Sequence, residues 1–148
     1  MVLLFTHDAD DFHKCKKVIS DKIKVEHTGK SVYFRVPVYT EMGEPLMLRV
    51  QFYKKYSFTL LYRNKYPIRR WDFKHTGVVK ENAQGKKILI PHNKGHKHRW
   101  NEKSMDKDFY VVNDIPTNDF RKAFFAFLKE ENITFKGEFL GMPMLGGF

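Results

Sequence analysis

From residue 31 onward the chain alternates apolar and polar positions. In SVYFRVPVY, Val32, Phe34, Val36 and Val38 alternate with Tyr33, Arg35, Pro37 and Tyr39, the period of two that gives a strand distinct inner and outer faces. LMLRVQFY repeats the pattern with Leu46, Leu48, Val50 and Phe52 across the turn TEMGEP, so the two runs predict an antiparallel hairpin. Pro37 lacks an amide hydrogen and predicts an edge position or a bulge. SFTLLYRN, YPIRRWDF and KKILIPH follow at short spacing, broken by NKYP and HTGVVKENAQG; such spacing favours an antiparallel meander over crossover units. DFYVVND adds a sixth strand to these five.

Toward the two ends the period lengthens. THDADDFHKCKKVISDKI sets acids before lysines, the order that suits a helix macrodipole, with Thr6 or Asp8 as the cap. Phe12, Cys15, Val18 and Ile19 recur at three- and four-residue steps and predict a helix over about residues 8–20, with Cys15 a core thiol on its apolar stripe. IPTNDFRKAFFAFLKEENI places Ala123, Phe124, Phe127 and Leu128 on one side of a second helix beginning near Thr117 or Asn118, whose aromatic face is expected to cover the sheet. The tail, with Phe139, Met142, Met144, Leu145 and Phe148 among glycines, is expected to pack on its own sheet, with docking on a partner or second subunit as the alternative. The fold class is α+β: an antiparallel sheet of about five or six strands with an N-terminal and a C-terminal helix packed on one face. Residues 1–148 read as one domain.

Composition agrees with this outline. A chain of 148 residues buries roughly 68–70% of its unfolded surface, enough for a core without staples. Fourteen Phe, seven Tyr and two Trp suit a sheet covered by helices. A single cysteine rules out an internal disulfide and a zinc site built on several thiolates. The run MVLLF is short, has no basic leader and is followed by acids, and no apolar segment approaches the ~20 residues of a membrane span. The expected location is cytoplasmic, with no membrane partner.

Charge changes the picture more. The formal net charge is +10, which argues for a polyanionic partner. Its distribution is uneven: residues 54–107 hold 15 basic and 4 acidic residues, whereas residues 1–53 hold 8 and 7 and residues 108–148 hold 4 and 6. The excess belongs to the middle of the chain, and the expectation is that folding gathers it into one patch around the histidines.

Three of the seven histidines lie in PHNKGHKHRW, residues 91–100. The pattern predicts a strand ending at Pro91 and His92, a turn at Gly95, and HKHRW extended, so that His96 and His98 share one face. They then converge on one metal ion or one phosphate, with His92 and His75 as neighbours. Neutral imidazoles suit zinc, copper, nickel or iron, but Lys94, Lys97 and Arg99 crowd the run with cations, and the nearest acids, Asp72 and Glu102, fit no metal spacing. A solvated basic loop is the plain alternative. The third reading is metal-free handling of phosphate, with Lys and Arg on the oxygens and histidines passing protons, as RNA cleavage requires. On that reading His96 and His98 are the catalytic pair, His92 or His75 the substitutes, and no cofactor is expected; the chain is then a metal-independent ribonuclease.

Arg69 and Arg70 are consecutive on a strand, so one faces each side, and Arg70 either binds phosphate or pairs with Asp72 on its own face. Trp71 and Phe73 are expected in the core. Tyr53, Tyr56, Tyr62 and Tyr66 interleave with Lys54, Lys55, Arg63 and Lys65, the mixture of rings and cations that meets bases and phosphates. The candidate nucleic-acid contacts are therefore Arg69, Arg70, Lys94, Lys97, Arg99, Arg63 and Lys65, with RNA the favoured partner.

YSFTLLYRNKYPIRRWDFKHTG followed by IPHNKGHKHRWNE resembles small bacterial and prophage proteins of the TumE type, in which a sheet ends in Arg-Arg-Trp-Asp before a downstream Pro-His-x-His. The likeness spans residues 57–131, and HNKGH separates Pro91 from the His96–Lys97–His98 triplet. It implies a toxin of toxin–antitoxin type, with an antitoxin as partner, and implicates Arg70, Asp72, His75, His92, His96 and His98. The mobile-element setting it suggests supports a rival: a phage-type, non-enzymatic inhibitor that binds a host defence ribonucleoprotein such as a CRISPR effector.

Overall fold

The computed structural model describes residues 4–28, 31–53, 55–74, 77–91, 94–116 and 119–140. In chain order these form α1 (Thr6–Lys14), β1 (Lys17–Ile19), β2 (Lys22–Lys24), β3 (Glu26–Thr28), β4 (Ser31–Thr40), β5 (Leu46–Tyr53), β6 (Lys55–Tyr62), β7 (Tyr66–Lys74), β8 (Val78–Glu81), β9 (Lys87–Ile90), β10 (Gly95–Asn101), β11 (Met105–Val112), α2 (Phe120–Glu130), β12 (Ile133–Phe135) and β13 (Glu138–Leu140). The α+β class holds. No helix among them is long and apolar enough to cross a membrane.

The main sheet has nine strands, not five or six, in the order β11-β10-β7-β6-β5-β4-β1-β12, with β3 also on β4. Its long strands pair antiparallel, while β1 and β12 pair parallel. Besides β10, which the extended reading of HKHRW anticipates, the additional strands β1, β3 and β12 have three residues each, too short for a periodic signal. KKILIPH contributes β9, but β9 leaves the main sheet to pair with β8 in a separate hairpin. Pro37 lies within β4, beyond the β3 pairing at Ser31–Tyr33 and before the β1 pairing at Tyr39 and Thr40. Its missing N–H falls where β4 has a ladder partner on one side only, which meets the edge requirement inside a long strand.

The first helix is shorter than expected. It ends at Lys14, and Val18 and Ile19 belong to a strand instead of a helical stripe. Buried Lys17 explains the break: its ammonium donates to the carbonyls of Phe12, His13 and Cys15, occupying the orphan acceptors at the helix end. Cys15 is half-buried at this junction. Neither expected cap acts, because Phe5 is the N-cap and Thr6 Oγ1 accepts from the Glu102 amide at 3.0 Å. The second helix is capped by Asp119, which accepts from the Lys122 amide; Thr117 and Asn118 lie outside the described residues.

Alternation along β4 to β7 sends Phe34, Val36, Leu48, Val50, Phe58, Leu60, Trp71 and Phe73 into one continuous core. Phe120, Phe124 and Phe127 of α2 complete it, Phe127 stacking on Phe58 at 5.6 Å and meeting the Trp71 edge at 5.3 Å. The start of the tail packs here as expected, with Phe139 against Phe34 and Phe124; Met142, Met144, Leu145 and Phe148 lie outside the described residues. Between β12 and β13 the chain passes so close to Asp21 that a Cβ on Gly137 would stand 2.3 Å from its carbonyl oxygen. Phe127→Ala is expected to cost about 3–5 kcal/mol of unfolding free energy in urea titrations, and Gly137→Ala to lower the midpoint because backbone, not a movable side chain, meets the added methyl.

Candidate functional site

The polar side of the sheet is ordered by the same register that builds the core. One row crosses six strands as Arg35, Arg49, Thr59, Arg70, His98 and Phe109; the row beside it is Tyr33, Gln51, Ser57, Asp72, His96 and Val111. Each strand gives both rows residues two apart, so all twelve side chains leave the face opposite the aromatic core. Tyr33, Arg35, Arg49, Gln51, Ser57, Thr59, Arg70 and Asp72, with Lys80 from β8, line a cleft of about 440 Å³. A second cleft of about 330 Å³ shares Arg49, Thr59 and Arg70 and continues to Lys65 and Asp106.

Arg35 and Arg49 stand directly opposite each other. Among the described residues neither guanidinium is paired with a carboxylate; Arg35 Nε donates to the Tyr33 hydroxyl at 2.8 Å. Arg70 is engaged differently. Its Nε donates to Asp72 Oδ2 at 2.8 Å, Nη1 to Asp106 Oδ2 at 3.0 Å and Nη2 to His98 Nε2 at 3.0 Å. The same-face Arg70–Asp72 pair is therefore formed, in a position that also lines both clefts.

Next to Arg70 lies a buried cluster. His96 and His98 share a face as the spacing predicts, with ring centroids 4.8 Å apart, and Phe109 packs over both at 5.7 and 5.4 Å. The Nε2 atom of each stands 3.3 Å from Asp72 Oδ2. Cross-strand register supplies this carboxylate, since Asp72 is the direct partner of His96; no linear spacing reveals it. Burial would raise the Asp72 pKa, but the two imidazoles and the Arg70 guanidinium outweigh it and hold the carboxyl well below its usual range. Burial pushes His96 below the ordinary imidazole range, against the pull of Asp72. His98 Nδ1 lies 2.6 Å from the Asp106 carbonyl oxygen, which can only accept, so Nδ1 carries the proton. Neither ring nitrogen of His96 has a hydrogen-bond partner among the described residues.

Among the described residues the expected gathering of central cations around the imidazoles is only partial: Arg70 and Lys80 stand on that face, and others do not. Lys97 points to the opposite side, where it is buried, donates to Glu130 at 2.9 Å and Asp114 at 3.2 Å, and sits 4.3 Å from the Trp71 ring centre. Burial opposes its charge, but those carboxylates prevail and raise its pKa. Arg69, on the same side, pairs with Asp10 at 2.9 Å, Arg99 with Asp108 at 3.1 Å and exposed Arg63 with Glu44 at 3.1 Å. Acids distant in sequence thus neutralise much of the basic block. Lys94 precedes β10, its amide donating to the Pro91 carbonyl at 3.2 Å. Gly95 opens the strand and is not a turn: a Cβ there would lie 2.6 Å from Ile115 Cδ1 and 3.2 Å from the Asp72 carbonyl oxygen. Of the tyrosines expected at a surface, Tyr56 and Tyr66 are buried and Tyr62 packs against the core; the Tyr53 side chain lies outside the described residues. His75, His92 and Lys54 lie outside the described residues.

Of the nine residues lining the main cleft, the linear pattern singles out only Arg70 and Asp72; the other seven, Arg35 and Arg49 among them, it does not. The signal for two of them is present: one arginine at the outward position of each strand of a predicted hairpin. Asp72→Ala is expected to destabilise the fold by about 1–3 kcal/mol in chemical denaturation, because it removes one of the two carboxylates on Arg70 and leaves a hydrogen bond there unmade, whereas Arg99→Ala, at an exposed pair, changes stability by no more than about 1 kcal/mol. Comparison with known proteins supplies no relative: no family model matches the chain, and no curated protein or solved structure is significantly similar to it.

Proposed function

We propose that the protein binds single-stranded nucleic acid, with RNA preferred, along the polar face of the sheet. The observation that carries this reading is the cross-strand Arg35–Arg49 pair. Like charges directly opposite each other destabilise a sheet, and a phosphodiester between the guanidiniums removes the repulsion through charge-assisted hydrogen bonds. Arg70 and Lys80 widen the cationic floor, and Lys65 extends it along the second cleft, so successive phosphates have a continuous path. Tyr33 offers a ring for stacking, and Gln51, Ser57 and Thr59 supply the amide and hydroxyl groups that can meet a ribose 2′-hydroxyl.

The expected partner is kept, but the residues that meet it move. Of the seven basic residues expected from the sequence, Arg70 and Lys65 line the clefts, and Arg35, Arg49 and Lys80 replace the others. Proton transfer by His96 and His98 is not part of this function: both side chains are buried under Phe109 and contribute nothing to the lining of the main cleft. An antitoxin or a defence ribonucleoprotein as partner is not needed to account for the cleft.

Fluorescence anisotropy with labelled single-stranded RNA tests the proposal. Affinity is expected to fall steeply with salt, and Arg35→Gln or Arg49→Gln to weaken binding about tenfold while reducing the slope of log K against log salt by about 0.7 for each phosphate no longer neutralised. The same variants, freed of like-charge repulsion, are expected to be at least as stable as the parent in thermal melts. Affinity unchanged in both variants, or insensitive to salt, sinks the reading.

A further inference from the structure

We infer that Asp72, His96 and His98 form a binding site for one divalent first-row transition ion of the zinc class, with one coordination position open beside the cleft. The inference stands on ligand geometry and does not depend on what the cleft binds.

The trio is the group of histidine, cysteine and acidic side chains, among the described residues, whose ligand atoms lie within 4.8 Å of one another. Bonds of about 2.0–2.1 Å meeting at a tetrahedral angle set neighbouring ligand atoms about 3.3 Å apart. Both Nε2-to-Oδ2 distances are 3.3 Å. Two imidazoles and a carboxylate suit zinc and its borderline neighbours better than magnesium or calcium, which take oxygen ligands. Three protein ligands leave a fourth position, the arrangement of catalytic and not of structural zinc.

Two further features point to a ligand. The His96 side chain is 6% exposed, yet neither ring nitrogen has a hydrogen-bond partner among the described residues. Buried polar atoms in folded proteins are nearly always satisfied, and an ion between His96 and Asp72 satisfies Nε2. The second is the support behind His98. The Asp106 carbonyl holds the proton on Nδ1 and so leaves Nε2, 3.3 Å from Asp72 Oδ2, with its lone pair, the backing that orients metal-bound histidines. Arg70 Nε on Asp72 Oδ2 does the same for the carboxylate.

Arg70 is the obstacle as well as the support. Its Nη2 donates to the His98 Nε2 lone pair that the ion requires, so the ion and this hydrogen bond exclude each other. The exchange is local, because Nη1 keeps Asp106 and Nε keeps Asp72, two carboxylates against one guanidinium. Arg70 and Asp72 both line the cleft, which is the route of entry. Arg70 therefore acts as a competitor for the site, and its removal has a predicted sign.

Calorimetric titration of the untagged full chain, stripped with chelator and held in nucleic-acid-free buffer, is the test, with zinc as the probe. One equivalent is expected to bind; His96→Gln, which removes only the 3.3 Å approach to Asp72, is expected to weaken it by at least about tenfold, and Arg70→Gln to tighten it. Cobalt, substituted in the parent protein, is expected to show the intense visible absorption of a four-coordinate site, which decides the matter even where a variant fails to fold. Stoichiometry near zero, binding unaltered by His96→Gln, or a cobalt spectrum of the six-coordinate aqueous type overturns the inference. RNA binding by the parent is read separately, so either result can stand without the other.

Discussion

The register between β7 and β10 is the constraint on which the rest depends. With Asp72 opposite His96 and Trp71 opposite Lys97, the pleat sends the two histidines and the carboxylate to one side and the lysine to the other. A slip of one residue would invert every assignment, burying imidazoles under α2 and leaving Asp72 to face Lys97. The register is pinned at several points. Lys97 is anchored between Glu130, Asp114 and the Trp71 ring, Trp100 Nε1 donates to the Leu4 carbonyl at 2.7 Å, and Gly95 admits Ile115 against the β7 backbone.

From this constraint follows a division of charge between the two sides of the sheet. Toward the helices, cations are matched one by one: Arg69 by Asp10, Lys97 by Glu130 and Asp114. These pairs fasten α1 and the end of α2 to β7 and β10, and they consume charge that the linear sequence counts as available. On the other side Arg35 and Arg49 meet no acid among the described residues. A net charge of +10 is thus a poor guide to where an anion binds; the informative quantity is which cations remain after folding has paired the rest.

Arg70 joins the cleft to the histidine cluster. It lines both clefts while donating to Asp72, Asp106 and His98, so an anion drawing on this guanidinium and an event at the imidazoles act on the same group. The cluster is buried, with Phe109 packed over it, and in that setting each unpaired polar atom weighs more than it would at the surface. Stability and the proposed binding therefore meet at one arginine, all three of whose nitrogens already donate.

What the sequence by itself determined was what depends on local period. Period-two alternation gave β4 to β7 with their inner faces, the split of Arg69 from Arg70, the burial of Trp71 and Phe73, and the shared face of His96 and His98; the three- and four-residue steps gave the aromatic side of α2. It misread residues 17–19 as helix because three apolar steps mimic a stripe, and only the pairing with β4 and β12 turned them into a strand. It placed tyrosines and central lysines on a surface because charge along a chain carries no record of which acids will come near. Tertiary structure alone decided that Asp72 meets His96, that Arg35 faces Arg49, and that Lys97 is spent on Glu130. Each is a contact between strands or elements far apart in sequence, fixed by sheet register and helix docking, and linear spacing holds no information about either.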